Sequence, residues 1–133
     1  MDAAGTRVLS VDDSTDIAEL SQRMLSRQAG IVGVGVRSSA ENLVEDAVRL
    51  RADVVVLDLG MPGPDPLEAA RALAERTDCR IVVMSGDDDP ETVDRAIEAG
   101  ASGFVSKHAE PADLAEAVRT VASGGMWLPR MRA

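Results

Sequence analysis

The sequence Asp53-Val54-Val55-Val56-Leu57-Asp58 contains the pattern that decides the fold, because four apolar residues run directly into an aspartate. Three consecutive valines favour an extended strand, since β-branched side chains pack well on a pleated sheet. Apolar and polar residues do not alternate along the run, so both faces of the strand must be covered. Residues 53–57 are therefore predicted to form a central strand of a parallel sheet with helices on both sides.

Four other short apolar runs have the same character, and an amphipathic stretch follows each of the five. The predicted strands are residues 7–11, 31–36, 53–57, 81–84 and 103–105. In the first amphipathic stretch, Ile17, Leu20, Met24 and Leu25 recur at helical spacing and predict one core-facing stripe. The alternation predicts an α/β fold, a doubly wound five-stranded parallel sheet with five helices.

Capping residues mark the expected ends of the helices. Ser38 with Glu41 resembles a capping box and predicts the start of the second helix. Gly30 and Gly100 stand where the first and fourth helices should reach their C-caps. An acidic residue followed by proline predicts the starts of the third, fourth and fifth helices, at Asp65-Pro66, Asp89-Pro90 and Glu110-Pro111.

Composition excludes several classes of protein. The 133 residues suit one compact domain, and the net charge of −9 argues against binding of nucleic acid by its own surface. The single cysteine, Cys79, makes no internal disulfide and is predicted to be a small buried hydrophobe. No apolar run approaches membrane-spanning length and the N-terminus has no basic-plus-apolar leader, so a cytoplasmic protein without membrane contacts is expected.

Polar residues stand where the predicted strands end. Ligands bind at the carboxyl ends of the strands in a doubly wound sheet, near the point where the strand order reverses. The residues that follow the first, third, fourth and fifth strands are Asp12 and Asp13, Asp58, Ser85, and Lys107. Each of them alone has a plain structural explanation, as a helix cap or a solvated loop residue. The whole set on separate strand ends of one sheet is much harder to obtain by accident.

Three carboxylates in one pocket require a positive partner. Two unit charges about 4 Å apart repel by about 4 kcal/mol at an effective dielectric of about 20. Oxygen ligands suit Mg²⁺, with Mn²⁺ as an alternative ion, whereas zinc is disfavoured because His108 is the only nearby zinc-type ligand. Lys107 is the only lysine of the chain, and its ammonium could pair first with a carboxylate and then with a phosphoryl oxygen. Asp58 would be the nucleophile of a phosphoryl transfer, with Ser85 as a hydrogen-bond donor.

The chain resembles the response-regulator receiver family over about residues 6–123. The segments that carry the resemblance are Val11-Asp12-Asp13, residues 57–63, Met84-Ser85-Gly86 and residues 100–107. The resemblance implies a flavodoxin-like sheet of strand order 2-1-3-4-5 and a two-component phosphoacceptor. A sensor histidine kinase would transfer a phosphoryl group from its phosphohistidine to Asp58, and the domain would then switch conformation to control transcription.

The resemblance also implies a role for each residue of the site. Asp13, Asp58 and the backbone carbonyl of Gly60 would bind Mg²⁺, and Asp12 would assist. Ser85 and Lys107 would bind the phosphoryl group. Ser85 and Phe104 would form the switch, with Phe104 moving inward.

Two positions depart from the common family pattern. His108 follows Lys107 where many members have proline, so the geometry of the Lys107–His108 peptide is an open question. Gly60 has no side chain to steer an attacking water, whereas Asp87 could do so, and we expect Gly60 and Asp87 to tune the lifetime of the phosphoryl group.

The chain is predicted to divide into a receiver domain, residues 1–122, and a tail or start of a linker, residues 123–133. The tail resembles the segment that precedes a LuxR-type helix-turn-helix domain, so DNA would be bound only through a missing C-terminal domain. Either an excised receiver or a stand-alone regulator fits the sequence, and homodimerisation on activation is expected. Trp127 is predicted to anchor the linker, to make a lattice contact, or to pack back on the fifth helix.

Two alternative functions compete with this interpretation. A haloacid-dehalogenase-like phosphohydrolase needs a second acid two residues after the nucleophile, where this chain has Gly60. A phosphorylation-independent interaction module usually lacks the acidic pair, the acceptor or the lysine, and this chain keeps all of them. The glycine-rich residues 30–35 lie between a helix and a strand, which is the wrong context for a phosphate-binding loop.

Overall fold

The computed structural model describes residues 5–129, in which five strands alternate with five helices. In chain order these are β1 (Thr6–Val11), α1 (Thr15–Ser26), β2 (Ile31–Arg37), α2 (Leu43–Arg49), β3 (Val54–Asp58), α3 (Pro66–Arg76), β4 (Arg80–Ser85), α4 (Pro90–Glu98), β5 (Gly103–Ser106) and α5 (Pro111–Ala122). Each predicted strand is present, and no strand end differs from its prediction by more than one residue.

The strands form one parallel sheet in the order β2-β1-β3-β4-β5, which confirms the doubly wound fold. The order reverses between β1 and β3, so the ligand-binding edge of the sheet is expected at the carboxyl ends of these two strands. Val11 pairs with Leu57, and Ser85 pairs with Ser106. This register brings the residues that follow the strands to the same edge of the sheet.

The core consists of two apolar layers, one on each face of the sheet. Successive residues of β3 point to opposite faces, so Val55 and Leu57 pack with α2, α3 and α4, whereas Val54 and Val56 pack with α5. All four side chains are buried, as expected for a central strand without polar positions. The carboxylate of Asp58 is thereby held at the end of a strand that is buried on both faces.

The start of α2 was predicted wrongly. The helix begins at Leu43 and not after Ser38, and Asn42 stands before it in the left-handed region with φ 60° and no capping bond from its side chain. The hydroxyl of Ser39 accepts a hydrogen bond from the amide of Glu41 at 3.2 Å. This local turn competes with the helix for the backbone and delays its start.

The core-facing stripe of α1 was also predicted wrongly in part. Leu25 is buried, but Ile17 and Leu20 are about half exposed, at 52% and 50%. The buried face instead includes Ala18 and Gln22, because the Gln22 amide donates to the carbonyl of Val8 at 3.1 Å and to the hydroxyl of Ser10 at 2.7 Å. A buried polar group needs such partners, and their position rotates the helix away from the apolar stripe.

The predicted caps are confirmed at three helix ends. The carboxylates of Asp65 and Asp89 accept hydrogen bonds from the amides of Leu67 and Thr92. Gly100 follows the C-cap of α4 with φ 102°.

Two other predicted caps differ from the structure. Glu110 precedes α5 without a capping bond from its side chain. Gly30 is left-handed, with φ 79°, but lies in the turn before β2, three residues beyond the C-cap Arg27.

Within residues 5–129, no helix is long and apolar enough to span a lipid bilayer.

The segment after α5 turns back onto the edge of the sheet, and we call residues 124–129 the C-terminal strap. Gly124 has φ 95°, which suits the reversal of the chain. Trp127 then forms a parallel bridge with Gly103 of β5, and its side chain packs against the core layer to which α5 contributes. The tail is therefore partly attached to the sheet.

Candidate functional site

The sheet brings the three predicted carboxylates together. Oxygen atoms of Asp12, Asp13 and Asp58 all lie within 4.8 Å of one another. Asp12 and Asp13 directly follow β1, and Asp58 is the last residue of the adjacent β3. Adjacent parallel strands end at the same edge of the sheet, so the backbone alone accounts for this cluster.

Asp58 is the most deeply buried member of the cluster, with 2% of its surface exposed. Its Oδ1 lies 2.8 Å from Nζ of Lys107 and accepts a hydrogen bond from the amide of Gly60 at 2.9 Å. Its Oδ2 is buried and has no hydrogen-bond partner within residues 5–129. A buried carboxylate oxygen without a partner is costly, so this atom is suited to a ligand.

The site raises the pKa of two of its groups, the carboxyl of Asp12 and the ammonium of Lys107. Burial raises the pKa of Asp12, the hydrogen bond from the Ser14 amide opposes the rise, and the charge of Asp58 adds to it. Burial would lower the pKa of Lys107, but its hydrogen bond to Asp58 and the charges of Asp58, Asp12 and Asp13 outweigh burial and raise that pKa. Lys107 therefore stays charged at neutral pH, and one ammonium faces three carboxyl groups.

The donor set fits a hard divalent cation. Three carboxylates offer oxygen ligands only, and Asp58 has one oxygen, Oδ2, that is without a partner within residues 5–129. Gly60 binds Asp58 through its amide, which leaves its carbonyl available in the same loop. A Cβ at Gly60 would lie 3.4 Å from Oδ1 of Asp58, an ordinary contact, so this position has room for a side chain.

Ser85 and Lys107 are joined at the ends of β4 and β5. Ser85 is buried, its hydroxyl accepts a hydrogen bond from the amide of Asp87 at 3.0 Å, and its carbonyl accepts one from the amide of Lys107 at 2.9 Å. The hydroxyl keeps its own proton for donation to a group in the site.

The side chain of Asp87 has a local structural role that the sequence did not reveal. Its carboxylate accepts hydrogen bonds from the amide of Asp89 at 3.1 Å and from the hydroxyl of Thr92 at 3.4 Å. These contacts brace the turn before α4, and Asp89 itself caps the helix. The sequence predicted the cap at Asp89, but not the contact of Asp87 with Thr92.

Phe104 lies inside the core, with 1% of its surface exposed. Its amide donates a hydrogen bond to the carbonyl of Trp127 at 2.8 Å. His108 is exposed, and its amide donates to the hydroxyl of Ser106 at 3.1 Å. No peptide bond between residues 5 and 129 is cis, so the Lys107–His108 peptide is trans.

A cavity of about 180 Å³ opens beside the carboxylates, between α1 and α5. Its walls include Asp12 and Lys107 from the site and the apolar side chains of Ile17, Met24 and Leu114. Sequence reasoning missed this cavity because it assigned Ile17 to the core. The exposed stripe of α1 therefore borders the site.

The fold and the site together define a flavodoxin-like α/β domain with an acidic strand-end site closed by a lysine. The family model of the response regulator receiver domain matches residues 8–119. The chain therefore belongs to the response regulator receiver family and is a receiver domain of two-component signalling.

Full-length regulators are among its relatives. The chain is 36% identical over 122 residues to the nitrate/nitrite response regulator protein NarL of Escherichia coli K12, covering 91% of this chain and 56% of the relative. It is 34% identical over 122 residues to the response regulator UvrY of the same strain, with the same coverage. The chain thus spans about half the length of these relatives.

Solved structures agree with the family assignment. A LuxR-family two-component response regulator from Aurantimonas sp. SI85-9A1 superposes with a TM-score of 0.87 at 30% identity, covering 93% of this chain and 89% of that one. The signal receiver domain of a NarL response regulator from Mycobacterium tuberculosis superposes with a TM-score of 0.83 at 30% identity, covering 90% and 98%.

Proposed function

We propose that this receiver domain accepts a phosphoryl group on Asp58 from the phosphohistidine of a sensor histidine kinase, with Mg²⁺ bound at the site. One observation carries the proposal. The carboxylate of Asp58 is 2% exposed, holds Lys107 on Oδ1 and leaves Oδ2 without a partner in the described chain, within the cluster that it forms with Asp12 and Asp13.

In the proposed transfer, a carboxylate oxygen of Asp58 attacks phosphorus while the bond from phosphorus to the imidazole nitrogen breaks. The nitrogen leaves with the bonding pair, and the product is an acyl phosphate. Lys107 then pairs with a phosphoryl oxygen, and the hydroxyl of Ser85 donates a hydrogen bond to the same group. The hydrogen bond between the Lys107 amide and the Ser85 carbonyl supports these two roles, because it holds the two residues beside each other.

Asp12, Asp13, Asp58 and the backbone carbonyl of Gly60 would hold the Mg²⁺, or Mn²⁺ in its place. When bound, the ion neutralises the clustered carboxylates and stabilises the charge of the phosphoryl group in transfer. The support is the oxygen-only donor set of the three clustered carboxylates, together with the Oδ2 of Asp58 that has no partner within residues 5–129.

Phosphorylation would then be read through Ser85 and Phe104. Ser85 would turn toward the phosphoryl group and Phe104 would move inward. The ring of Phe104 is already buried in this structure, with 1% of its surface exposed. Gly60 and Asp87 would tune the rate of hydrolysis. For Asp87, that role competes with its bonds to Asp89 and Thr92.

The wider assignments follow from family membership and are proposals of the same kind. The chain acts as a phosphorylation-controlled signalling domain, with self-phosphorylation and autodephosphorylation as its only chemistry. Residues 1–122 form the receiver, and residues 123–133 form a tail or the start of a linker. Homodimerisation on activation, DNA binding through a further C-terminal domain and a cytoplasmic location complete the proposal. No specific observation favours a phosphorylation-independent interaction module.

The test is the intact mass of the protein after incubation with acetyl phosphate and Mg²⁺. The wild type should gain one phosphoryl group, and Asp58→Asn or addition of EDTA should abolish the gain. Asp65→Asn is the matched control, because asparagine also caps a helix and Asp65 lies at the start of α3. Equal gain in wild type and Asp58→Asn would contradict the assignment of Asp58.

A further inference from the structure

We propose that the C-terminal strap senses the state of the Asp58 site. When a phosphoryl group occupies the site, the strength of the pairing between the strap and β5 changes. The inference rests on the proposed function of the site, because it assigns a readout to the same phosphorylation event.

The strap begins with a turn that reverses the direction of the chain after α5. The amide of Gly125 donates to the carbonyl of Thr120 at 2.9 Å, and the amide of Gly124 donates to the carbonyl of Val121 at 3.0 Å. Gly124 has φ 95°, and a Cβ at Gly125 would approach Cγ2 of Thr120 to 3.1 Å. The two glycines therefore bend the chain back from α5 toward the edge of the sheet.

Two backbone hydrogen bonds attach the strap to β5 and to Ser102, the residue that precedes it. The amide of Trp127 donates to the carbonyl of Ser102 at 3.0 Å, and the amide of Phe104 donates to the carbonyl of Trp127 at 2.8 Å. Pro129 has no amide hydrogen, so the pairing cannot continue in the same way beyond it. An attachment of this size is weak enough to open and close in the folded protein.

The same short strand connects the strap to the site. Phe104, whose amide binds the strap, is the second residue of β5, and Lys107 is the first residue after it. The ammonium of Lys107 lies 2.8 Å from Oδ1 of Asp58. A phosphoryl group on Asp58 must move this ammonium to a new oxygen, and the movement acts on a strand that also holds the strap.

The surroundings of the strap leave room for a change in its position. A cavity of about 400 Å³ lies between the strap, β5 and the start of α5, and Leu128, Asp113 and Ala109 contribute to its walls. Because this space is not filled by side chains, Leu128 and Pro129 have room to shift. The two hydrogen bonds of Trp127 and the packing of its ring oppose the shift.

The test follows hydrogen exchange of the Phe104 amide by NMR. The reference is the Asp53 amide, which donates to the carbonyl of Arg7 at 2.7 Å elsewhere in the same sheet. Gly124→Ala strains the turn, and the ratio of Phe104 to Asp53 exchange should rise about tenfold, the equivalent of one net hydrogen bond. Trp127→Ala, which removes the packed ring, should act in the same direction.

The control for Gly124→Ala is Gly30→Ala. Gly30 has φ 79°, and a Cβ there, like one at Gly124, would meet no atom within 4 Å, but Gly30 lies in the turn before β2. An equal rise of the ratio in both variants would overturn the attachment of the strap.

Coupling to the site is tested with beryllofluoride and Mg²⁺ as the probe. Binding should change the same ratio by about fivefold or more, the lower end of coupling between two sites, and Gly124→Ala should change the affinity for beryllofluoride by that factor, since coupling is reciprocal. In Lys107→Met with beryllofluoride seen to be bound by fluorine NMR, the ratio should not change. Bound beryllofluoride, seen by fluorine NMR, with an unchanged ratio would overturn the strap inference alone. If beryllofluoride does not bind and the mass experiment shows no phosphoryl gain, the proposed function fails, and the strap inference fails with it.

Discussion

Nζ of Lys107 lies 2.8 Å from Oδ1 of Asp58, so the only lysine of the chain neutralises the most deeply buried carboxylate of the acidic cluster. The lysine comes from the loop after the edge strand β5, and the aspartate ends the central strand β3. The contact therefore closes the site across β4, which lies between those two strands.

Replacement of Lys107 by methionine should slow phosphorylation of Asp58 by acetyl phosphate by roughly 100-fold to 1,000-fold, the usual cost of losing one donor to developing negative charge. Methionine keeps most of the length of the side chain and removes the charge. The rate can be followed by intact mass over time. Arg71→Met, which removes an exposed cation from α3, serves as the control and should leave the rate unchanged. A rate for Lys107→Met equal to that of the control would contradict the role of the ammonium.

Mg²⁺ should stabilise the domain against heat, because it binds the folded carboxylate cluster and has no such cluster in the unfolded chain. At a concentration of about 100 times Kd, the gain is about 2.7 kcal/mol. Calorimetry should show that Asp13→Asn loses most of this gain. Asp16→Asn, in the first turn of α1 and outside the cluster, should retain it. The same gain in both variants would mean that the ion binds elsewhere.

The start of α4 should lose its cap in acid. The hydrogen bond from the Thr92 amide, above other contributions, lowers the pKa of the Asp89 carboxyl below its usual value. A carboxyl with a lowered pKa stabilises the folded state above its unfolded pKa, and this stabilisation disappears as the pH falls through the folded pKa. Protection of the Thr92 amide from hydrogen exchange should therefore decrease as the pH falls below the usual pKa range of an aspartate.

Asp89→Asn provides the matched comparison for this titration, because asparagine caps a helix as well as aspartate but carries no charge. In that variant, protection of the Thr92 amide should not change over the same acidic range. If the variant shows the same loss of protection as the wild type, a group other than Asp89 controls the start of α4.

Gly100→Ala should destabilise the domain more than Gly30→Ala. Both glycines have positive φ, but a Cβ at Gly100 would come within 2.6 Å of Cβ of Ala74 on α3, whereas a Cβ at Gly30 would meet open space. Strained backbone alone costs about 1–3 kcal/mol, and the clash at Gly100 adds to it. Urea unfolding of the two variants measures the difference. Equal midpoints would show that α3 moves aside without cost.

Cys79 should react slowly with alkylating reagents in the native protein. Burial raises the pKa of the thiol, and Sγ donates to the carbonyl of Ala52 at 3.0 Å. Because the thiolate is the reactive form, iodoacetamide at neutral pH should modify Cys79 more slowly than the thiol of glutathione. Denaturant should remove the difference. Rapid native modification would contradict the prediction that Cys79 serves as a small packing residue.

The sheet and the acidic cluster could be predicted from the sequence because both depend on short-range patterns. The valines of β3 require a strand buried on both faces, and the strand ends then bring Asp12, Asp13 and Asp58 to one edge without further information. Lys107 could be predicted for the same reason, since its position depends only on the end of β5.

The stripe of α1 that was predicted wrongly depends on contacts between residues far apart in the sequence. Gln22 is buried on α1 because it finds the carbonyl of Val8 and the hydroxyl of Ser10, and a hydrophobic pattern cannot represent such a partner. Gly33 of β2 leaves the space that this side chain fills, since a Cβ at Gly33 would clash with Oε1 of Gln22. The exposure of Ile17 and Leu20 follows from this one buried amide.

The strap could not be predicted because its attachment uses backbone groups, which every residue carries. Its sequence indicates only a flexible pair of glycines and an aromatic residue.

The strap also bears on how the protein behaves at high concentration. An edge strand presents amide and carbonyl groups that can recruit a strand from another molecule. Trp127 occupies such groups on β5. At the opposite edge, the register of β2 is broken by a bulge between Val8 and Leu9 in its pairing with β1. A chain cut after residue 123 would keep every residue of the acidic cluster but would expose the edge of β5. Such a chain should therefore aggregate more readily while it keeps the residues that phosphorylation requires.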